Sequence, residues 1–331
     1  MIRSIGALLA AILMALPAAA QDKPKLKVGY GKCAQCFSML LVPAATDKID
    51  VELTGFTTAQ DGLTAMVAKS VDAMQATYLH LVAARDKGFD VVAISGHVNG
   101  GSDIIISNSL TIAPDDWTAF KALVMERKAA GKPMRIASSR GSAQDIHLRG
   151  ELAVHGIDAN KDIEFINIPN FPDHGPSLQR GEIDAVCTVE PFASQFRLAG
   201  MGKHFAFPYT QAAGNLTGLI LTRGDVIKEH PAELQELVSA IWRVNEALKA
   251  DRTPWIQAIK KVTGLDDAIT TAAMPNVYPD SMMYRQKTIE IAKMMRDLKY
   301  TATDQTGSID QGLDYEFLIK ASGQTKESLG W

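Results

Sequence analysis

The chain has 331 residues, 34 Lys and Arg against 37 Asp and Glu, a formal charge of −3 and 47% hydrophobic residues. That length allows two domains or one bilobal unit with two cores, and the even spread of 25 Gly and 14 Pro excludes long disorder and collagen-like repeats. No Lys/Arg run is long enough to track a phosphate backbone, so nucleic acid is not an expected partner.

Residues 1–20 combine Arg3, an apolar run over 5–16 and the small residues Pro17-Ala18-Ala19-Ala20 ahead of Gln21. This is the pattern of a cleaved export signal, and the run is shorter than the roughly 20 apolar residues that span hydrocarbon. The expectation is a mature protein in the periplasm with no lipid anchor. An oxidising compartment favours disulfides, which bears on Cys33 and Cys36. Cys187, inside an apolar run, reads as a buried small hydrophobe.

From residue 26 onward, strand and helix patterns alternate. Strands are expected over 26–30, 51–55, 71–77 and 91–96, with a helix-like stretch over 37–45 and helices over 58–69 and 78–87. A further strand is placed at 103–107, joined to this first set, and a helix follows from Pro114-Asp115-Asp116-Trp117 to residue 129. A second set has strands at 134–137, 163–168 and 185–189 and helices at 142–155, 177–180 and 191–199, the last opened by Pro191. The strand at 218–222 returns to the first set, and helices at 232–250, 254–262 and 281–298 complete the chain. Alternation of this kind predicts an α/β chain with mostly parallel sheets. It divides into lobe I (21–110 and 215–331) and an inserted lobe II (111–214), with crossovers near 108–114 and 208–217. Gly100-Gly101 reads as a turn, since no glycine-rich phosphate pattern is present.

One series of residues carries a resemblance. It runs through Gly131-Lys132-Pro133-Met134-Arg135-Ile136-Ala137, Gly141-Ser142, Leu152, Gly156-Ile157 and Asp162, then Leu178-Gln179-Arg180-Gly181-Glu182-Ile183-Asp184-Ala185 and Glu190-Pro191. In this order it resembles the solute-binding proteins of ABC importers for nitrate, sulfonates, taurine and thiamine-pyrimidine precursors, the NMT1-like group. Pro43 and the stretch from Ala68 to Asp72 are weaker echoes; Ser70 stands where the group usually has Gly. The resemblance covers essentially the mature chain and is densest over 130–200. It implies a two-lobe periplasmic-binding-protein type II fold with two crossover segments, closing on a small-molecule ligand. It also implies a monomer that serves the permease and ATPase complex at the inner membrane, and no cofactor.

In open α/β sheets, ligands bind beyond the carboxyl ends of strands and at helix N-termini. The loop over 138–142 offers backbone N–H groups and hydroxyls suited to an anion or a carbonyl. Arg140, Gly141 and Ser142 are therefore candidates, although Ser142 is equally an ordinary N-cap and Arg140 equally an exposed arginine. Thr77, Tyr78 and His97 lie at or just past strand ends. Tyr30, Tyr78 and Phe192 suit an apolar wall with polar tips, or simply the core. Glu190 follows a strand and is expected at the cleft mouth, where a carboxylate favours a ligand that offers donors, such as a nitrogen-bearing organic molecule; the competing reading is a lobe-to-lobe salt bridge. His80 and His97 are two isolated histidines, and no metal site is expected from them.

Cys33 and Cys36 leave three readings open: a disulfide that stiffens the first loop, direct contact of Cys33 with the ligand or a soft metal such as Cu(I), and a thioredoxin-like redox centre. The resemblance also raises catalysis, because fungal pyrimidine synthases share the NMT1-like fold. Their cysteine-rich iron motif is not matched by Gly31-Lys32-Cys33-Ala34-Gln35-Cys36-Phe37, and no nucleophile elbow or metalloprotease helix occurs. The chain is expected to be a binding protein for a small nitrogen- or sulfur-containing solute and not an enzyme. The alternatives are a periplasmic sensor or a pyrimidine-synthase-like enzyme on the same fold.

Overall fold

Short runs rich in Val, Ile and Leu separated by capped amphipathic stretches give the chain its rhythm. A computed structural model describes residues 23–331; the export signal expected over 1–20 lies outside the described residues. The strands are β1 (Lys25–Gly31), β2 (Asp50–Phe56), β3 (Ala73–Thr77), β4 (Val91–Gly100), β5 (Ser102–Ile106), β6 (Arg135–Ser138), β7 (Glu164–Asn167), β8 (Ala185–Val189), β9 (Lys203–Ala206), β10 (Gly218–Arg223) and β11 (Val277–Asp280). They form a six-stranded sheet in the order β11-β4-β10-β3-β1-β2 and a five-stranded sheet in the order β7-β6-β8-β5-β9.

Both sheets are mixed. β1 lies parallel between β2 and β3, while β10 is antiparallel to β3 and β4. In the second sheet β6 pairs parallel with β7 and β8, and β5 is antiparallel to β8 and β9. Helices start where a side chain replaces the missing intrahelical partner of the first turn. Thr58 caps Ala59–Val67, Thr77 caps Tyr78–Asp86, and Ser142 caps Ala143–Val154, each accepting a backbone N–H three residues on.

Each sheet has a core of its own. Leu26, Val28, Met74, Ile94, Trp255 and Tyr315 belong to the cluster around the first sheet. Ile104, Phe120, Ile136, Cys187 and Phe205 fill one face of the second, and Ile105, Val186, Leu178 and Phe196 the other. Each fully buried large aliphatic or aromatic side chain contributes roughly 1.5–3 kcal/mol against the conformational entropy lost on folding.

The chain passes between sheets twice, and the first passage differs from the expectation. β5 belongs to the second sheet, so the crossing occurs at Gly100-Gly101 and not near 108–114, and a lobe I ending at residue 110 takes in a strand of the other sheet. Both glycines have positive φ, 85° and 86°, a region that costs L-residues strain. A Cβ on Gly100 would stand 2.3 Å from the Asn276 carbonyl oxygen, and one on Gly101 2.4 Å from Gln35 Oε1. The second passage occupies 207–217. His147, on the helix Ala143–Val154, binds both passages: its Nδ1 is 2.9 Å from Ser102 Oγ and its Nε2 3.2 Å from the Leu216 carbonyl oxygen. Glu151, a turn further along, accepts from the backbone N–H groups of Thr210 and Gln211 at 3.0 and 3.2 Å.

Candidate functional site

The carboxyl ends of β1, β2 and β3 in the first sheet face those of β6 and β8 in the second, and a cavity of about 150 Å³ lies between them. That volume is of the order of cavities that admit one benzene-sized molecule. Its walls fall into a buried floor and an exposed rim. Gln35, Gln75, Thr77, His80, Gln144, Thr217 and the Cys33–Cys36 pair make the floor, and Lys32, Thr57, Gln60, Arg140, Gly141 and Asn167 make the rim. Phe171 and Val189 pack with the two cysteines as an apolar patch on one side.

Local structure explains how these residues meet. β1 ends at Gly31, and a tight turn then carries Cys33 and Cys36, joined as a disulfide with Cα atoms 5.0 Å apart. The turn is anchored on both lobes: Ala34 N–H donates to the Glu190 carbonyl at 2.8 Å, and Trp255 Nε1 donates to the Ala34 carbonyl at 2.8 Å. Gln75 on β3 receives Gly31 N–H at 3.3 Å. Thr77 Oγ1 accepts His80 N–H at 3.3 Å and lies 2.7 Å from His80 Nδ1. Burial pushes the His80 imidazole down to about 4, so the ring is neutral at pH 7. Across the cavity, Gly141 N–H donates to Asp145 Oδ2 at 2.9 Å, Arg140 N–H to Asn167 Oδ1 at 2.9 Å, and Gln144 Nε2 to Ser102 Oγ at 3.2 Å.

Three helix starts, Thr58, Thr77 and Ser142, thus converge on one cavity, two from the first sheet and one from the second. Each brings the equivalent of about +0.5 elementary charge. Asp61 and Asp145 in the first turns offset part of this at two of them; the Thr77 start has no acidic residue in its first turn. Among the described residues no carboxylate lines the cavity, whereas Lys32 and Arg140 do. Such a site suits an anion or a neutral acceptor and offers an ammonium group no counter-charge.

Of the residues singled out in the sequence, Cys33, Thr77, Arg140, Gly141 and Ser142 come together here. Tyr30, Tyr78, His97 and Glu190 do not line the cavity. Tyr30 packs edge-on to Phe37, ring centroids 6.3 Å apart. Tyr78 follows the cap but its side chain turns into the first core, its hydroxyl 3.4 Å from Tyr284 N. His97 is buried on the long β4 with Nε2 2.9 Å from Ser38 Oγ, and burial pushes its ring down to about 3.

Glu190 is neither at the cleft mouth nor in a lobe-to-lobe ion pair. Its carboxylate turns inward within its own lobe, accepting from Ser194 N–H at 3.0 Å and from Arg197 Nη2 at 3.1 Å. Only its backbone bridges, its carbonyl to Ala34 and its N–H to the Gly101 carbonyl at 2.8 Å. Burial raises its carboxyl to about 7 against the pull of the Arg197 guanidinium. Glu190 therefore says nothing in favour of an amine ligand. Among the described residues, no group of three or more His, Cys, Asp or Glu side chains is placed to hold a metal ion.

Gln35, Gln75 and Gln144 also line the cavity without a positional signal in the sequence, whereas Thr58 and Gln60 are signalled by the helix start at Thr58. His80, in sequence an isolated histidine, lies at the third position of the helix that Thr77 caps.

Residues 19–263 match the model of the NMT1-like family. The chain belongs to that family. Over 74 residues it is 36% identical to the nitrate/nitrite binding protein NrtA of Synechococcus elongatus, a stretch that is 22% of this chain and only 16% of that protein's length. Its fold is that of the periplasmic nitrate-binding protein NrtA from Synechocystis, with a TM-score of 0.75, 15% identity and coverage of 91% of this chain and 89% of the other. The periplasmic aliphatic sulphonate binding protein SsuA from Escherichia coli shares it too, with a TM-score of 0.69, 16% identity and coverage of 88% and 92%. At these identities the two structures speak for the fold alone, the two-lobe α/β architecture of periplasmic binding proteins. Among the described residues no helix is long and apolar enough to cross a membrane.

Proposed function

We propose that this chain is the solute-binding component of an ABC importer, exported to the periplasm, where it takes up a small anionic solute between its lobes and presents it to the permease and ATPase complex. The observation that carries this reading is the convergence of three capped helix starts, drawn from both sheets, on a cavity lined by Lys32 and Arg140 and by no carboxylate. Contacts from both sides are what a two-lobe binder requires, because a solute favours a closed arrangement only by touching both halves. The relative named for nitrate and nitrite and the solved structures named for nitrate and for aliphatic sulphonate support the same class of solute. The hydroxyl–imidazole pair in the cavity, Thr77 with His80 at 2.7 Å, lacks a third group to orient the ring, because His80 Nε2 is unpaired, and Thr77 Oγ1 is engaged as a helix cap, which supports binding over catalysis.

Isothermal titration of the mature protein with nitrate, methanesulfonate and ethylammonium tests the reading. Binding of at least one anion and none of the ammonium ion is expected; binding of ethylammonium alone would overturn it.

A further inference from the structure

Among the described residues, six buried side-chain polar atoms have no hydrogen-bond partner: Gln35 Oε1, His80 Nε2, His97 Nδ1, Gln235 Oε1, Asn245 Oδ1 and Thr301 Oγ1. Of their residues, Gln35 and His80 line the cavity, and both are on its floor. Native proteins leave few buried polar groups unpaired, and each calls for an explanation; at a cavity, a bound solute is one.

The two atoms have opposite characters. Thr77 Oγ1 accepts the His80 backbone N–H and has only the His80 ring nitrogen as a further partner among the described residues. Its hydroxyl hydrogen is satisfied when it donates to Nδ1, which places the ring proton on Nε2. Nε2–H is then a donor without an acceptor, and Gln35 Oε1, with the amide oriented as in the structure, an acceptor without a donor. The disulfide turn fixes Gln35 in place between Cys33 and Cys36, and its amide packs against Gly101.

Resting on the reading of this cavity as a solute site, we infer that its solute is an anion that also carries an uncharged N–H group of the amide or urea type, with Gln35 and His80 as the residues that select it. Gln35 Oε1 receives the N–H, and His80 Nε2–H donates to an oxygen of the solute. An ammonium group meets the demand for a donor but not the surroundings, since the rim is cationic and no carboxylate lines the walls. The cavity volume restricts the solute to about the bulk of one small ring.

Titration of the wild-type protein with three matched compounds separates the possibilities: N-carbamoylglycine, its carbon isostere 4-methylpentanoate, and 4-aminobutyrate. N-carbamoylglycine is expected to bind at least about ten-fold more tightly than either of the others, the worth of one well-made buried hydrogen bond. Gln35→Leu and His80→Phe, checked for folding by circular dichroism, are expected to reduce that preference to within about three-fold while the isostere keeps its affinity. Equal affinity of wild-type protein for N-carbamoylglycine and 4-methylpentanoate, or tighter binding of 4-aminobutyrate, overturns the inference while leaving an anion site standing. If neither these compounds nor nitrate and methanesulfonate bind, the solute-binding reading falls and this inference with it.

Discussion

Two buried polar clusters lie beside strand ends in this molecule, and they are built on opposite lines. In the first, Gln35, Gln75, Thr77 and His80 surround a cavity with no carboxylate among its described walls and two atoms left unpaired. In the second, Asp103 and Glu190 are fully buried, and Arg197 binds both, at 2.5 and 3.1 Å, while His204 Nδ1 lies 2.8 Å from Asp103. Both clusters consist of residue types that position alone would nominate as functional. What separates them is satisfaction: the charged cluster answers its own demands and links β5, the end of β8 and the helix Phe192–Leu198, while the uncharged one leaves two atoms unpaired.

Breaking the charged cluster should produce the largest effect. Arg197→Met leaves two buried carboxylates without their guanidinium and is expected to lower unfolding stability by about 3–5 kcal/mol. Urea denaturation measures it, and anion affinity of the folded variant should stay within about three-fold of wild type. A loss of affinity without loss of stability would erase the contrast between the clusters.

The two clusters should also respond oppositely to pH. His80 in the cavity floor is held neutral, as are the buried His97, His147 and His174, with values pushed down to about 4, 3, 4 and 4 by burial. Between those values and the ordinary 6.5, the unfolded chain binds more protons. Stability therefore falls on acidification through that window, by about 1.4 kcal/mol per pH unit for each such histidine at most. Glu190 has the reverse sign. Its carboxyl is raised to about 7, so the folded state holds a proton that the unfolded state has lost, and stability falls as pH rises from about 4.5 to about 7. Melting temperature against pH should show a steeper rise over that interval in Glu190→Gln than in wild type. An unchanged slope would mean Glu190 is ionised throughout.

The smallest effect is expected from the wall the cavity shares with the disulfide. Cys33 and Cys36 are three residues apart, and closing so short a loop stabilises by about 2 kcal/mol in the chain-entropy account. Replacing both by Ser, or adding reductant, should lower stability by that amount and weaken anion binding, because the turn positions Gln35. Anion affinity indifferent to reductant would show that the turn keeps its shape without the bond.

Much of the architecture is legible in the sequence because 26–30 and 51–55 alternate apolar and polar residues, 71–77 and 185–189 are largely apolar, and each is followed by a capped helix or a turn. β11 is not, since Pro279 in Val277–Asp280 marks it as a poor strand; it survives at the sheet edge, where a missing N–H is tolerated. Its pairing with His97–Gly100 is what extends β4 beyond residue 96. β9 is four residues of mixed character, Lys203–Ala206, and its partner β5 lies almost a hundred residues earlier, so the membership of β5 in the second sheet is a long-range fact. Within the site, the caps Thr77 and Ser142 are legible because a cap has a fixed place relative to its helix. Tyr78 shows the limit of that logic, since one residue beyond a cap the side chain points into the core. Glu190 shows another: Arg197, one helical turn pair away, decides where its carboxylate goes, and nothing in the position of Glu190 announces it.

The contrast between the two passages carries a mechanical consequence. One is a single bare glycine pair; the other is an eleven-residue strap over 207–217, tied down by His147 and Glu151. If the two halves swing as a two-lobe binder requires, the short glycine passage leaves less room for displacement than the longer strap, and Gln35, packed against Gly101, would shift less than Arg140 at the rim.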